Sequence, residues 1–160
     1  MAGKFFKPLR ELLEAVIKLD VDSIALDISR TSTFKKLVIT LNTEGLPTSQ
    51  LFELGEDSEG RRLDDIGGGY TLFTIYEKLK FNQPIDRVTL KDTGEFYRTF
   101  DVIPFKGGFN IIADTLKDGE DLEDRWGDEI VGLNENNTNI IVEFYKERIL
   151  EQVRRNIKGT

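Results

Sequence analysis

Carboxylates are the most abundant reactive side chains in this sequence, and many of them stand next to one another. The chain of 160 residues contains 29 Asp and Glu residues but no His and no Cys. The commonest general base near neutral pH, the commonest metal ligand and thiol nucleophiles are therefore absent. Catalysis would have to use carboxylate, Lys or Tyr side chains. The adjacent acidic residues are Asp64 and Asp65, the group from Asp118 to Asp121, Glu123 and Asp124, and Asp128 and Glu129.

Acidic neighbours of this kind are interpreted as solvated surface charge. A catalytic pair of carboxyl groups needs two different environments, and neighbours in one acidic loop share theirs. Asp114 and Asp118 could hold Mg²⁺ in principle, but any acidic chain offers similar pairs. Glu56–Gly60 does not reproduce the spacing of a calcium-binding loop, and Gly67–Gly69 lacks the Lys and Ser or Thr of a phosphate-binding loop. We predict no catalytic, cofactor-binding or metal-binding residues, and we interpret Gly67–Gly69 as a hinge.

The segment from Asp86 to Phe100 is the stretch around which we expect the chain to be organised. Asp92 or Thr93 can serve as the N-cap of a short helix, because a short side-chain oxygen accepts from the unpaired N–H groups of a first turn. Phe96 and Phe100 are four residues apart, which places both rings on one helix face. We interpret the motif as a capped turn that anchors a loop to the core. Its residues are Asp92, Thr93, Gly94, Phe96 and Phe100.

Apolar periodicity predicts an α+β fold in one domain, residues 1–160, with a small antiparallel sheet packed against an N-terminal helical region and a long C-terminal helix. The last helix, Glu135–Asn156, has Asn134 as its N-cap and an apolar stripe expected to lie on the sheet. Trp126 is expected to lock its segment to the core. For Ser23–Ser29 a helix is favoured over a strand. The other predicted elements are helices Pro8–Leu19, Thr33–Asn42 and Thr71–Leu79, a short amphipathic piece Gln50–Leu54, a loop 56–69, strands Asp101–Phe105 and Phe109–Ala113 joined by a hairpin turn, and a loosely helical Leu116–Gly127.

Composition and charge exclude several classes of function. Hydrophobic residues make up 39% of the chain and charged residues 32%, which suits a real core with a solvated surface. The net charge of −7 repels phosphate backbones, so we expect no sequence-specific nucleic-acid partner. Met1–Arg10 does not read as a signal peptide, and no run approaches the ~18 apolar residues of a membrane span. We therefore expect no membrane partner and a protein that is cytosolic or is assembled in the cytosol.

Two segments resemble the tail-completion and virion-morphogenesis proteins, or neck and head–tail connector proteins, of tailed phages. The first lies between Tyr70 and Phe100, and its Leu90-Lys91-Asp92-Thr93-Gly94 is similar to the family pattern Leu-x-Asp-Thr-Gly. The second, Gly127–Asn136, resembles the family's entry to a last helix. Phe96 replaces the usual aliphatic residue, and Thr115–Arg125 replaces a Tyr-Ala…His-Gln…Gly stretch. Within this group the chain is most similar to versions from phages of gut Bacteroidales, including the crAss-like phages.

The resemblance implies a structural protein of the virion, in a ring of six or twelve identical subunits that joins the portal or another connector to the tail. The family has no enzymatic activity and no cofactor, and its motif residues are packing and capping positions. One alternative is a small enzyme or ligand-binding domain that uses acidic residues near Gly67–Gly69. Such a domain should show a deep pocket lined by buried carboxylates. Another alternative is an acidic DNA mimic, with carboxylates spaced like phosphates.

A ring requires two different contact patches on each subunit. The acidic segment Asp118–Asp128 and the basic end of the last helix, at Arg154 and Arg155, are candidates of opposite sign. The apolar candidates for subunit contacts are Phe5, Phe6, Leu46, Leu51 and Phe52. We expect the isolated chain to be monomeric or weakly associated, and to become ordered in a ring only on a portal or tail scaffold.

Overall fold

The computed structural model describes Val16 and residues 18–158, with side chains as far as Asn156, and it confirms the α+β fold. Most of the predicted helix Pro8–Leu19, together with Phe5 and Phe6, lies outside the described residues. The helices are α1 Val21–Arg30, α2 Ser32–Asn42, α3 Leu63–Gly67, α4 Leu72–Lys80, α5 Glu95–Arg98, α6 Leu122–Trp126 and α7 Glu135–Lys158. The strands are β1 Asp101–Phe105, β2 Gly108–Ile112, β3 Leu116–Lys117 and β4 Glu120–Asp121. A π-helical turn, Gln50–Leu54, and a 3₁₀ turn, Asp128–Ile130, complete the list.

The first two helices begin at side-chain caps. Asp20 and Thr31 each accept from the backbone N–H three residues on, at 3.1 and 3.2 Å, and so satisfy a donor that the first turn leaves unpaired. The helix favoured for Ser23–Ser29 is confirmed, and the strand alternative is wrong. Helix α2 tolerates its β-branched run because Val38 is fully buried, and tertiary packing outweighs the small loss of helix propensity.

A buried carboxylate organises the acidic loop that follows the π-helical turn. Asp57 is inaccessible to solvent and accepts from the N–H of Glu59 and from both the N–H and the Nε of Arg61, at 2.7–2.9 Å. The range 56–69, which we expected to be a loop throughout, contains α3. That helix forms because Leu63 is fully buried at its start and because two acidic residues lie in its first turn, where the dipole favours them.

The N-cap position expected at Asp92 or Thr93 is wrong, because helix α5 has only four residues and its N-cap is Gly94, whose φ of 80° is left-handed. Glycine adopts this conformation at little steric cost. Thr93 Oγ1 still accepts a long hydrogen bond, at 3.4 Å, from the N–H of Glu95, the first residue of the helix. Asp92 is exposed, and its carboxylate accepts from Lys117 Nζ at 3.2 Å.

The strands form two antiparallel pairs. β1 and β2 pair from Asp101 with Ile112 to Phe105 with Gly108, which confirms the predicted hairpin. β3 and β4 form a second pair within the segment that we expected to be loosely helical. The helical part of that segment is confined to α6.

The long helix α7 starts at its predicted cap, since Asn134 Oδ1 accepts from the N–H of Asn137 at 3.0 Å. It packs mainly on α1 and α2, and Ile141 reaches the β1–β2 hairpin at Val102. The predicted apolar stripe of this helix consists of Ile141, Tyr145, Ile149 and Val153. The expectation that all of it is buried against the sheet is wrong, because Ile149 is only half-buried. The Tyr145 hydroxyl ties the middle of the helix to α1 through a 2.5 Å hydrogen bond with Ser29 Oγ.

The core consists of two clusters that share two neighbours, Ile39 and Ile111. The first cluster contains Leu51, Leu63, Val88, Leu90, Phe96, Tyr97, Phe100, Leu122, Trp126 and Ile130. The second contains Phe34, Val38, Leu41, Val102 and Ile141, and it joins α2 and α7 to the hairpin. No apolar residue of helix α4 belongs to the buried residues of either core cluster.

Candidate functional site

Helix α4 and the residue after it present five large apolar side chains to solvent. The helix starts at Thr71, whose Oγ1 accepts from the N–H of Thr74 at 3.2 Å. Between 58% and 87% of the accessible surface of each of the five remains exposed: Leu72, Phe73, Tyr76, Leu79 and Phe81. We name these five residues the apolar ridge. Large exposed apolar patches on soluble proteins mark contact sites.

The opposite side of α4 is attached to the chain by a buried lysine. Lys78 is 7% exposed. Its Nζ donates to the carbonyl oxygen of Lys91 at 2.5 Å, to Gln83 Oε1 at 2.9 Å and to Thr89 Oγ1 at 3.4 Å. An ammonium group has three N–H donors, so these contacts use all of them. Gln83 also donates to the carbonyl oxygen of Asp92 at 2.8 Å, and it thereby bridges the lysine and the same segment.

Burying the charged amine of Lys78 carries a desolvation penalty. Burial lowers the pKa of Lys78 from 10.5 to about 8, Asp92 opposes the shift, and the like charges of Lys117 and Lys91 add to it. The amine is still mostly protonated at pH 7, and all three of its N–H donors have acceptors. These contacts place Lys78 as an anchor for α4.

Two tyrosines hold the segment that receives Lys78. The Tyr70 hydroxyl accepts from the N–H of Thr89 at 2.8 Å, and the Tyr97 hydroxyl donates to the carbonyl oxygen of Thr89. Burial raises the pKa of both phenols, so they stay neutral near pH 7. Between these contacts and Lys91, Leu90 has a left-handed φ of 54°. A non-glycine residue in that conformation is strained, and it persists because the hydrogen bonds on both sides fix its neighbours.

A cleft of about 480 Å³ opens between α4, the segment 88–92 and α6. Asp92, Asp118 and Glu120 are exposed where they line it, and Glu77 is half-buried. Exposed carboxylates keep their hydration, so these groups do not occupy the contrasting environments that a general acid and a general base need. The pocket of buried carboxylates that would favour an enzyme is therefore not formed by the described residues of this cleft.

The glycines that we interpreted as a hinge lie at the edge of the cleft, and one of them is fixed by packing. A Cβ added at Gly67 would lie 2.3 Å from Trp126 Nε1, so only glycine fits beneath the indole. Among the described residues none accepts from the indole N–H. The Arg125 guanidinium lies 4.4 Å from the ring, and its Nε donates to the Gly67 carbonyl oxygen at 2.8 Å. Trp126 is buried in the first core cluster, as predicted.

The structure places three of the predicted contact residues, Leu46, Leu51 and Phe52, in or against the core, so the expectation that Leu51 is available for a subunit contact is wrong. Phe96 and Phe100 are both buried with ring centroids 5.0 Å apart, which agrees with a packing role. Leu51, proposed for subunit contacts, is fully buried, because the stretch after Gly45 folds into a π-helical turn and supplies the core; Phe52 packs against the same cluster. Leu46 is half-buried and packs on the second cluster. Both residues of the basic pair, Arg154 and Arg155, are exposed on α7.

The described part of the chain offers no group of three or more His, Cys, Asp or Glu side chains placed to hold a metal ion. None of its helices is long and apolar enough to cross a bilayer. The fold and the site define an α+β protein whose main exposed feature is an apolar helix face. No protein-family model matches the chain, and no curated protein and no solved structure matches it.

Proposed function

We propose that this protein is a structural subunit of the phage head–tail junction, a neck or tail-completion ring component that connects the portal or another connector to the tail. The apolar ridge carries the proposal. Five large apolar side chains on one helix are exposed in the single chain, and burying a side chain of this size stabilises by about 1.5–3 kcal/mol. A subunit whose role is to contact other chains has a use for such a face.

The way in which the ridge is attached supports an assembly role. Lys78, Gln83 and Tyr70 fix α4 through directional hydrogen bonds, so the ridge is presented in a defined position. A preorganised surface loses less conformational freedom on binding, which leaves more of the contact free energy for affinity. The anchor lies in the segment between Tyr70 and Phe100, which also carries the resemblance to phage neck proteins.

A ligand-binding role for the cleft is the second candidate, because a desolvated amine and a 480 Å³ space adjoin each other there. The saturated donors of Lys78 and the exposed state of the lining carboxylates argue against chemistry at this place. Two of the five ridge residues, Phe73 and Phe81, also line the cleft. A partner chain seated on the ridge would cover the same opening.

Electron microscopy of virions, combined with mass spectrometry of their proteins, tests the proposal. The chain should occupy a ring at the head–tail junction. Leu72→Glu should fold normally, because 87% of this side chain is exposed, and should reduce incorporation into particles. Leu116→Glu is the matched control, since Leu116 is 69% exposed but lies on β3 and outside the ridge. Absence of the chain from virions, or its presence there as a monomer, would contradict the proposal.

A further inference from the structure

The described chain has, besides its apolar ridge, an apolar groove that is built by other elements. The groove has a volume of about 660 Å³ and lies between α1, β2 and α7. Its floor contains Phe109 and Ile111 of β2 and Ile141 of α7, all buried or half-buried. Val142 stands at its edge with 53% of its surface exposed. The groove thus combines an apolar floor with an apolar edge that no other described residue covers.

We propose that the ridge of one subunit docks into this groove of the next subunit, an inference that rests on the proposed ring function and specifies its contact. The ridge is convex, because Leu72, Tyr76 and Leu79 project from one face of a helix. The groove is concave and runs between two helices, α1 and α7. Packing of helix side chains into a groove between neighbouring elements is the usual geometry of helical contacts.

Charge supports the same occupant. The single exposed charged residue of α4 is Lys80, whose Nζ lies 4.4 Å from the centre of the Tyr76 ring and 2.6 Å from Oε1 of the half-buried Glu77, so a carboxylate on a neighbour would be a second partner for this amine. Among the residues that line the groove the single charged one is Asp22, which is exposed in the first turn of α1. A neighbour that brings Lys80 to Asp22 pairs the two charges at the edge of an otherwise apolar contact. Complementary charges at the edge fix the register of an interface.

The positions of the two patches make the contact heterologous. The ridge helix is attached to the segment 88–92, which contributes Val88 and Leu90 to the first core cluster. The groove is built on the second core cluster, which contains Ile141. A contact between two different patches leaves one of each free on every dimer, so it repeats until the rotation closes a ring. A ridge-to-ridge contact would instead be isologous and would stop at a dimer.

Disulfide cross-linking between two single-cysteine variants tests the contact, because the natural chain contains no Cys. Phe73→Cys places a thiol on the ridge, and Val142→Cys places one at the groove; both positions are exposed, so the fold should tolerate them. The two full-length variants, with different tags, are mixed at high concentration and oxidised. We expect mixed dimers in clear excess, and each variant alone should remain monomeric. Cross-linking of Phe73→Cys with itself, or no mixed dimer, would overturn the proposal.

A charge exchange across the two chains provides an independent measurement. Lys80→Asp on the Phe73→Cys chain should lower the yield of mixed dimer by about fivefold, and Asp22→Lys on the Val142→Cys chain should restore it. Lys36→Asp, at an exposed position on α2, is the control and should change nothing. A loss that Asp22→Lys does not restore would place the partner of Lys80 elsewhere and overturn the contact.

The ring function and the ridge-to-groove contact can be contradicted independently. If virions contain the ring but the mixed variants give no dimer, the ridge-to-groove contact is wrong and the ring function stands. If the mixed dimer forms but the chain is missing from virions, the contact stands and the head–tail role is wrong.

Discussion

Raising the pH from 7 to 9.5 should stabilise this protein through Lys78. The pKa of this amine is about 8 in the folded chain and 10.5 when it is solvated. Between those values the unfolded chain binds more protons than the folded one, so the free energy of unfolding rises with pH in that window. The contribution of Lys78 is complete above pH 10.5 and is lost as the pH falls through 8.

The magnitude follows from the two pKa values. Holding the charge in the folded chain at neutral pH costs about 3 kcal/mol, since one pKa unit corresponds to about 1.4 kcal/mol. Between pH 7 and pH 9.5 the proton-linkage relation recovers about 2 kcal/mol of this. The pKa values of Tyr70, Tyr97 and Tyr145 are raised, mainly by burial, so ionisation of the unfolded phenols opposes the gain, but mostly above pH 10.

Comparison with a variant isolates the lysine from every other titrating group. Lys78→Met removes the charge and keeps an unbranched side chain of similar length. The difference in unfolding free energy between the natural protein and this variant should shift by about 2 kcal/mol in favour of the natural protein from pH 7 to pH 9.5. Urea unfolding followed by the fluorescence of Trp126, the single Trp and a buried one, measures it.

The matched control is Lys80→Met, a lysine on the same helix that is exposed and paired with Glu77. It should keep the pH dependence of the natural protein. A shift below about 0.5 kcal/mol for Lys78→Met, or an equal shift for both variants, would show that the amine is solvated and that α4 is held in another way.

Three further tests of the packing use urea unfolding. Gly67→Ala should destabilise by about 1–3 kcal/mol because its Cβ would lie 2.3 Å from the indole nitrogen, whereas Gly69→Ala, with nothing within 4 Å, should be nearly neutral; equal losses would contradict the close contact. Asp57→Ala should cost about 3 kcal/mol, since two backbone N–H groups and a guanidinium lose a buried acceptor, and a loss under 1 kcal/mol would refute this. Ile141→Ala should cost about 2–5 kcal/mol and the half-buried Ile149→Ala clearly less; the reverse order would contradict the placement of α7.

Local patterns in the sequence predicted most of the helices and the hairpin, because their signals are local. The predicted cap Asn134 precedes α7, and the predicted turn at Gly107 joins β1 and β2. The pattern Asp-Thr-Gly at 92–94 is ambiguous at this level. The pattern fits a side-chain cap, and it fits equally a turn in which Gly94 adopts the left-handed conformation. Only the backbone conformation of the folded chain, a φ of 80° at Gly94, distinguishes the two.

The candidate site could not be predicted in the same way. Periodicity places Leu72, Ile75, Tyr76 and Leu79 on one side of the predicted helix Thr71–Leu79, but it does not show whether that side is covered; in the structure Ile75 is half-buried and the other three are exposed. The usual interpretation places an apolar stripe inward and a lysine outward. In α4 the arrangement is reversed, since Lys78 is buried and the apolar ridge is exposed. The acceptors that permit the reversal lie at Gln83, Thr89 and Lys91, and only the fold brings them to the amine.

If the chain is the ring subunit that we propose, this reversal connects its stability to its assembly. Were α4 packed through its apolar face, the ridge would be consumed within the chain and Lys78 would be solvated. In the observed arrangement hydrogen bonds hold the helix, and the five apolar side chains keep a burial free energy on the order of 7 kcal/mol or more for contact with another chain. Association costs an estimated 4–15 kcal/mol. One ridge contact is therefore marginal between two free chains. In the proposed ring it would become sufficient if a portal or tail scaffold held the neighbours in place, because each further contact would then be intramolecular.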